Sequence, residues 1–165
     1  THHVSSAASD VYKRQDYYYA LGNMNFQLEN EFEMSNCFDT VLKWKPNDVI
    51  ILNNYSYFLA KLNYRLDYAL EMIEKVNKAF PYDPTFLDTY AFILYKMEKY
   101  PEAEERIKFC LENGGQKNSE TCLHAAAIFK LTGQRELYQL YYQHALDHGI
   151  KKDQIEKLIN GFTKQ

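Results

Sequence analysis

The segments LNNYSYFLAKL (residues 52–62) and FLDTYAFILYKM (residues 86–97) decide the fold class of this chain. Each is an apolar, aromatic-rich stretch built around a small residue, and neither shows the period-two alternation of a strand. Similar stretches occur twice more. The small residues at their centres, spaced by 34, 35 and 35 positions, are Gly22, Ser56, Ala91 and Ala126. The sequence therefore predicts an all-α protein made of four copies of one unit.

A second amphipathic stretch begins about twelve residues after each centre. The four stretches are SNCFDTVL (35–42), YALEMIEKV (68–76), EAEERIKFCL (102–111) and LYQLYYQHAL (137–146). Turn residues follow them, and Asp83 before Pro84 is an N-cap followed by proline at the first helical position. Each unit is thus predicted to be two helices joined by tight turns. The predicted units span residues 16–48, 49–83, 84–118 and 119–149.

The composition is that of a folded domain with few helix breakers. Among 165 residues, 46% are hydrophobic, and 25 are Phe or Tyr against 6 Gly and 4 Pro. A net charge of −3 argues against a nucleic-acid partner, which usually requires a basic surface. No apolar run approaches the roughly 18–20 residues of a membrane helix, so we expect no direct membrane insertion. Three cysteines cannot all pair within one chain.

The first fifteen residues, THHVSSAASDVYKRQ, differ from the rest. They lack helical or strand periodicity, and they resemble either a tag remnant or translated adapter sequence. Residues 1–15 are therefore predicted to be a disordered, non-native tail. We accordingly expect the native N-terminus to lie further upstream.

The repeat resembles the tetratricopeptide repeat, a helix–turn–helix unit of 34 residues, over residues 16 to about 149. That family places small residues at sites 8, 20 and 27, where this chain has, for example, Ala91, Ala103 and Cys110. One residue is inserted between Ser56 and Ala69, and Tyr138 is large where alanine is usual. The resemblance implies a right-handed α-solenoid of about four units. Residues 150–165 are predicted to form a C-terminal capping helix, whereas Tyr17, Tyr18 and Leu21 would face an absent neighbour and so indicate a truncated array.

The family's pattern implies that the first helices of the units line a concave, peptide-binding groove. Amide and aromatic side chains at these positions suit a peptide or helix of a partner protein. The predicted groove residues are Tyr19, Asn23, Asn53, Asn54, Tyr57, Lys61, Asp88, Tyr95, Lys96 and His124. The carboxylate clamp of chaperone-binding members is not expected, because Tyr19, Thr85 and Thr89 stand where that clamp has its cations.

No catalytic, metal or cofactor site is predicted. His144 and His148 are four residues apart, but Ala145 replaces the glutamate that a zincin motif requires. Cys110 and Cys122 fall at core positions of the repeat and are expected to be buried thiols.

The leading hypothesis is a non-enzymatic protein–protein interaction scaffold. The alternatives are a structural subunit of an envelope or secretion assembly, and the regulatory C-terminal part of a longer multi-repeat protein. The sequence leaves the compartment open between the cytoplasm and the periplasm or envelope.

Overall fold

The computed structural model describes residues 2–160 of the chain. Within that range every regular element is helical, and no residue is assigned to a strand. The nine α-helices of the described residues are α1 His2–Gln27, α2 Glu31–Trp44, α3 Val49–Lys61, α4 Leu66–Ala79, α5 Pro84–Lys96, α6 Tyr100–Glu112, α7 Ser119–Leu131, α8 Arg135–Asp147 and α9 Lys152–Asn160, with a 3-10 turn at Gly115–Lys117.

Side-chain caps set the start of the first helix in three of the units. Asp48 Oδ1 accepts hydrogen bonds of 3.1 Å from the amides two and three residues further on. Asp83 Oδ1 accepts one of 2.9 Å in the same way, and Asn118 Oδ1 accepts two of 2.8 and 3.2 Å. These bonds satisfy amides that have no partner within the helix. The residues at the caps therefore determine where these repeat units begin.

The turns inside the units share a left-handed residue. Glu29, Asn63, Glu98 and Gly133 have φ of 54°, 53°, 60° and 76°, and they follow one another at the repeat period. The inserted residue of the second unit lies in its turn, which runs from 62 to 65 and ends at Arg65 with φ 48°. The insertion thus lengthens a turn and leaves both helices intact.

The small residues at the centre of each unit allow its two helices to approach closely. Ser56, Ala91 and Ala126 are completely buried. A Cβ atom at Gly22 would lie 2.8 Å from the ring of Phe38 on α2, so this position tolerates only glycine without rearrangement. Unit 1 is therefore held by the same close crossing as the others.

The units stack as a right-handed α-solenoid. The second helix of one unit packs against the first helix of the next, as α4 does on α5 and α6 on α7. The first helices α3, α5 and α7 also pack side by side and form the inner, concave surface. One core runs continuously through the stack.

The N-terminal segment differs from its prediction. Residues 1–15 were expected to be a tail without regular structure, but α1 begins at His2 and runs unbroken to Gln27. The segment contains no proline or glycine to stop the helix as it extends from its docked part. Residues 9–14 are exposed, and Gln15 is the first buried residue among those whose side chains the structure describes, 9–160.

The C-terminal helix α9 packs on α7. Ile155 and Ile159 are buried, and the Tyr95 hydroxyl of α5 donates a 2.8 Å hydrogen bond to the Leu158 carbonyl. The helix therefore packs on first helices, α7 and α5, and residues 161–165 of the predicted capping helix lie outside the described residues.

Candidate functional site: the concave groove

A polar bridge crosses the concave surface between α3 and α7. The Tyr57 hydroxyl donates a hydrogen bond to Glu120 Oε1, and Lys61 Nζ lies 3.2 Å from the same oxygen. These helices lie on either side of α5, so the solenoid is wound tightly enough for units 2 and 4 to touch. The bridge divides the groove into two parts.

His124 and Asp88 form a second contact, next to the Tyr57–Glu120 bridge. His124 Nδ1 lies 3.0 Å from Asp88 Oδ1, and the imidazole stacks on Phe92 with ring centroids 4.2 Å apart. His124 is only 1% exposed, so the ring is held between a carboxylate and an aromatic face. Tyr57 packs against both rings, with centroids 5.7 Å from Phe92 and 6.3 Å from His124. The centre of the groove is thus an ordered cluster.

The electrostatics of the cluster follow from its burial. Burial and the neighbouring Glu120 carboxylate raise the pKa of the Tyr57 hydroxyl, which keeps it a donor. Burial also raises the pKa of Glu120, but the hydrogen bond from Tyr57 and the positive charges nearby outweigh it, so that the net pKa is lowered. Burial and then the charge of Lys61 lower the pKa of Lys96.

The first cavity lies on the side where the first helices begin. It has a volume of about 320 Å³ and is lined by side chains of α3, α5 and α7 and by the turn that precedes α7. Four predicted groove residues line it: Asn53, Asn54, Tyr57 and Asp88. The Asn53 side chain is 6% exposed, and its Oδ1 has no hydrogen-bond donor among the described residues. This cavity offers amide and carboxylate groups.

The second cavity lies on the side where the first helices end. It has a volume of about 620 Å³, and three predicted residues line it: Lys61, Lys96 and His124. Its apolar lining comes from Phe26, Leu62, Phe92, Leu123 and Leu158, the last of which belongs to α9. This cavity therefore combines lysines with an apolar floor.

Two predicted residues lie beside the cavities, where α1 meets α3. The Tyr19 hydroxyl accepts a 2.9 Å hydrogen bond from Asn54 Nδ2. Asn23 Nδ2 donates to the Tyr19 backbone carbonyl at 2.9 Å. Tyr19 thus positions an amide that lines the first cavity.

Tyr95 requires a correction. It was predicted to line the groove, but it is completely buried beneath α9. Its equivalents one unit earlier and later are Ala60, which is buried, and Lys130, which is exposed, so the repeat pattern alone gives no fixed environment for this position. Tyr95 is buried because α9 packs over it.

Sequence reasoning missed two groups of lining residues. The first is the inter-unit turn of Gly114, Gly115, Lys117 and Asn118 at the first cavity. The second comprises the intra-unit turn residues Glu29, Asn63 and Glu98, together with Gln154 and Lys157 of α9, at the second cavity. The intra-unit turn residues could have been predicted to lie on one side of the groove, because they recur with a period of 34 to 35 residues. Nothing in the sequence indicates that α9 lies beside these turns.

Among the described side chains, those of residues 9–160, no group of three or more His, Cys, Asp or Glu could hold a metal ion. Cys122 Sγ donates to the Gln116 carbonyl at 3.3 Å, whereas His124 pairs with Asp88. Within the same range, no helix is both long and apolar enough to cross a membrane.

Comparison with known sequences relates part of the chain to a repeat protein. No family model matches the chain. A Pseudomonas aeruginosa protein described as a TPR repeat-containing protein is 33% identical over 72 residues. The match spans 44% of this chain and 12% of that relative, so the chain corresponds to a small part of its length.

Several solved structures share the fold. A thermophilic TPR protein of Thermus thermophilus superposes with a TM-score of 0.75 at 15% identity, covering 89% of this chain and 80% of its own. PilF of Pseudomonas aeruginosa gives 0.69 at 15% identity, covering 91% and 69%. A tetratricopeptide repeat protein from Parabacteroides merdae gives 0.71 at 19% identity, covering 88% and 56%. These matches confirm the predicted resemblance and the repeat fold.

Proposed function

We propose that this chain, which has the fold of tetratricopeptide repeat proteins, is a non-enzymatic scaffold that binds a peptide or helix of a partner protein in its concave groove. The observation that carries the proposal is the pair of cavities beside the Tyr57–Glu120 bridge. Their volumes, about 320 and 620 Å³, lie in the usual range of ligand-binding clefts. Both are lined by groups that can hydrogen-bond a peptide.

The first cavity contributes specificity through unused hydrogen-bonding capacity. Asn53 Oδ1 is a buried acceptor without a donor among the described residues, and such an atom typically costs about 1–3 kcal/mol. A peptide N–H placed in the cavity would recover part of that cost. Asn54 and Thr85 stand beside it and supply further polar contacts.

A capture experiment tests the proposal. Thr85 is exposed at the mouth of the first cavity, so Thr85→Arg would fill the cavity while leaving the core unchanged. The matched control is Glu105→Arg, which places the same side chain on the exposed surface of α6. We expect wild type and control to retain the same partner from a lysate of a related bacterium, and Thr85→Arg to lose it. Equal retention by all three proteins would refute binding through this cavity.

One observation favours the alternative of a subunit docked permanently in a larger assembly. Tyr17 is 62% exposed, although its equivalents Ile51, Phe86 and Thr121 are 6%, 5% and 3% exposed because the preceding unit covers them. An exposed aromatic at an interface position of the repeat suits a permanent contact. If Tyr17→Glu abolishes co-purification of a partner that Thr85→Arg retains, this alternative replaces the groove proposal.

A further inference from the structure

The C-terminal helix α9 is rotated about its own axis relative to the first helices of the repeat units, so that equivalent positions face different surroundings. Ile155 and Ile159 lie one period of 35 residues after Glu120 and His124, which face the groove in α7. In α9 these two positions are buried and apolar. Glu156, at the position of the buried Thr121, is instead exposed. Thus α9 directs its apolar side to the concave surface, where α7 carries polar residues.

The contacts of α9 are those of a bound helix. It packs on α7 and receives the hydrogen bond of the Tyr95 hydroxyl at the Leu158 carbonyl, 2.8 Å away. This bond reaches the backbone of α9, so it does not depend on which side chain stands at that position of the bound helix.

The surface under α9 continues into a space that α9 does not fill. Leu158 and Lys157 form one wall of the 620 Å³ cavity, and its far wall is formed by Phe26 and Leu62. A helix with a larger apolar side chain near its C-terminal end would bury that wall and keep the contact with Tyr95. Removing this apolar surface from water would stabilise the bound helix.

We propose that this surface is a binding site for an amphipathic helix of a partner protein, and that α9 is its intramolecular competitor. The partner helix carries aliphatic residues at i, i+3 and i+4, as α9 does with Ile155, Leu158 and Ile159. A tethered competitor acts at an effective concentration in the millimolar range, so it weakens the binding of any free helix. The inference rests on the proposed groove function and specifies the occupant of its second part.

The probe is a fluorescent synthetic peptide with the sequence of residues 150–165, added to the full chain. In the double variant Ile155→Glu/Ile159→Glu, α9 can no longer dock, and we expect at least tenfold tighter binding of the peptide than by wild type. The matched control Lys152→Glu/Glu156→Lys exchanges the charges of an exposed i, i+4 pair, 3.6 Å apart, and should bind as wild type does. A peptide carrying both glutamate substitutions should not bind.

A second set of measurements distinguishes a loss of peptide binding from misfolding of the double variant. Circular dichroism first establishes that the variant keeps its helix content. In wild type, saturating peptide should also accelerate amide hydrogen exchange in α9, because the peptide displaces it. If a folded double variant binds no peptide, or exchange in α9 is unchanged at saturation, the inference is wrong. Either failure leaves Thr85→Arg capture unaffected, because that variant tests the other cavity.

Discussion

The bridge between units 2 and 4 gives a prediction whose magnitude follows from the structure. Tyr57→Phe removes the hydroxyl that donates to Glu120 and leaves the ring in place. A hydrogen bond to a charged group contributes about 1.5–3 kcal/mol to stability. The Glu120 side chain is 45% exposed and keeps its contact with Lys61, so we expect the lower end, a loss of about 1.5 kcal/mol.

Tyr90→Phe is the matched control. Its hydroxyl also donates to a glutamate, Glu74 Oε1, at 3.0 Å, but Glu74 lies on the exposed outer surface. Because solvent replaces a bond of this kind, the expected loss is about 0.5 kcal/mol. Urea denaturation followed by circular dichroism measures both values. With a slope of about 2 kcal/mol per molar urea, the midpoint should fall by about 0.7 M for Tyr57→Phe and about 0.2 M for the control.

The bridge also predicts a dependence on pH. The pKa of Glu120 is lower in the folded chain than its ordinary value, because donation by Tyr57 and nearby positive charges outweigh the effect of burial. The stability it contributes is present above the unfolded pKa of about 4.3 and is lost as pH falls through the lower folded pKa. The difference between wild type and Tyr57→Phe should therefore shrink below about pH 4. Equal losses in the two Tyr→Phe variants at pH 7, or a difference that grows on acidification, would refute the reasoning.

Three further predictions concern the turns, the helix crossings and the thiols. Glu98 has φ 60° at the position where the fourth unit has Gly133, and this conformation is strained for any residue other than glycine. Glu98→Gly should therefore raise the free energy of unfolding, measured by urea denaturation, by about 1 kcal/mol, and Gly133→Ala should lower it by a similar amount. The opposite signs would show that the turn is not strained. Gly22→Leu should lower the stability of unit 1 by at least about 2 kcal/mol, because even a Cβ would lie 2.8 Å from Phe38, and unchanged thermal unfolding would contradict the close crossing. Burial raises the pKa of Cys122 to about 11, so this thiol should react with a thiol reagent at pH 8 only after denaturation, and rapid labelling of the native chain would show that it is accessible.

The repeat could be predicted from the sequence because its signals are local. Asp48 and Asp83 cap helices within three residues of themselves, and the small residue Ala91 reports a close crossing inside its own unit. The inserted residue near Arg65 was also detectable as a change of spacing, and the structure places it in a turn. Such features need no knowledge of how the units are arranged.

The groove was only partly predictable, because the family pattern places residues on a helix face without giving the curvature of the stack. It identified positions such as Asn54 and Lys61, which line the two cavities. It did not predict that Tyr57 would be bound to Glu120, since that contact joins units that are not neighbours in sequence. It also left Tyr95 exposed, although α9 covers it.

The sequence by itself determined the all-α class, the period and the capped start of a helix such as that at Asp83, because each depends on hydrogen bonds and packing within about one repeat. Only the tertiary structure decided the contact between α3 and α7, the division of the groove and the docking of α9 over Tyr95. These depend on the small rotation between successive units, which accumulates along the solenoid. A rotation of this kind is the sum of many packing contacts, and no single residue in the chain encodes it.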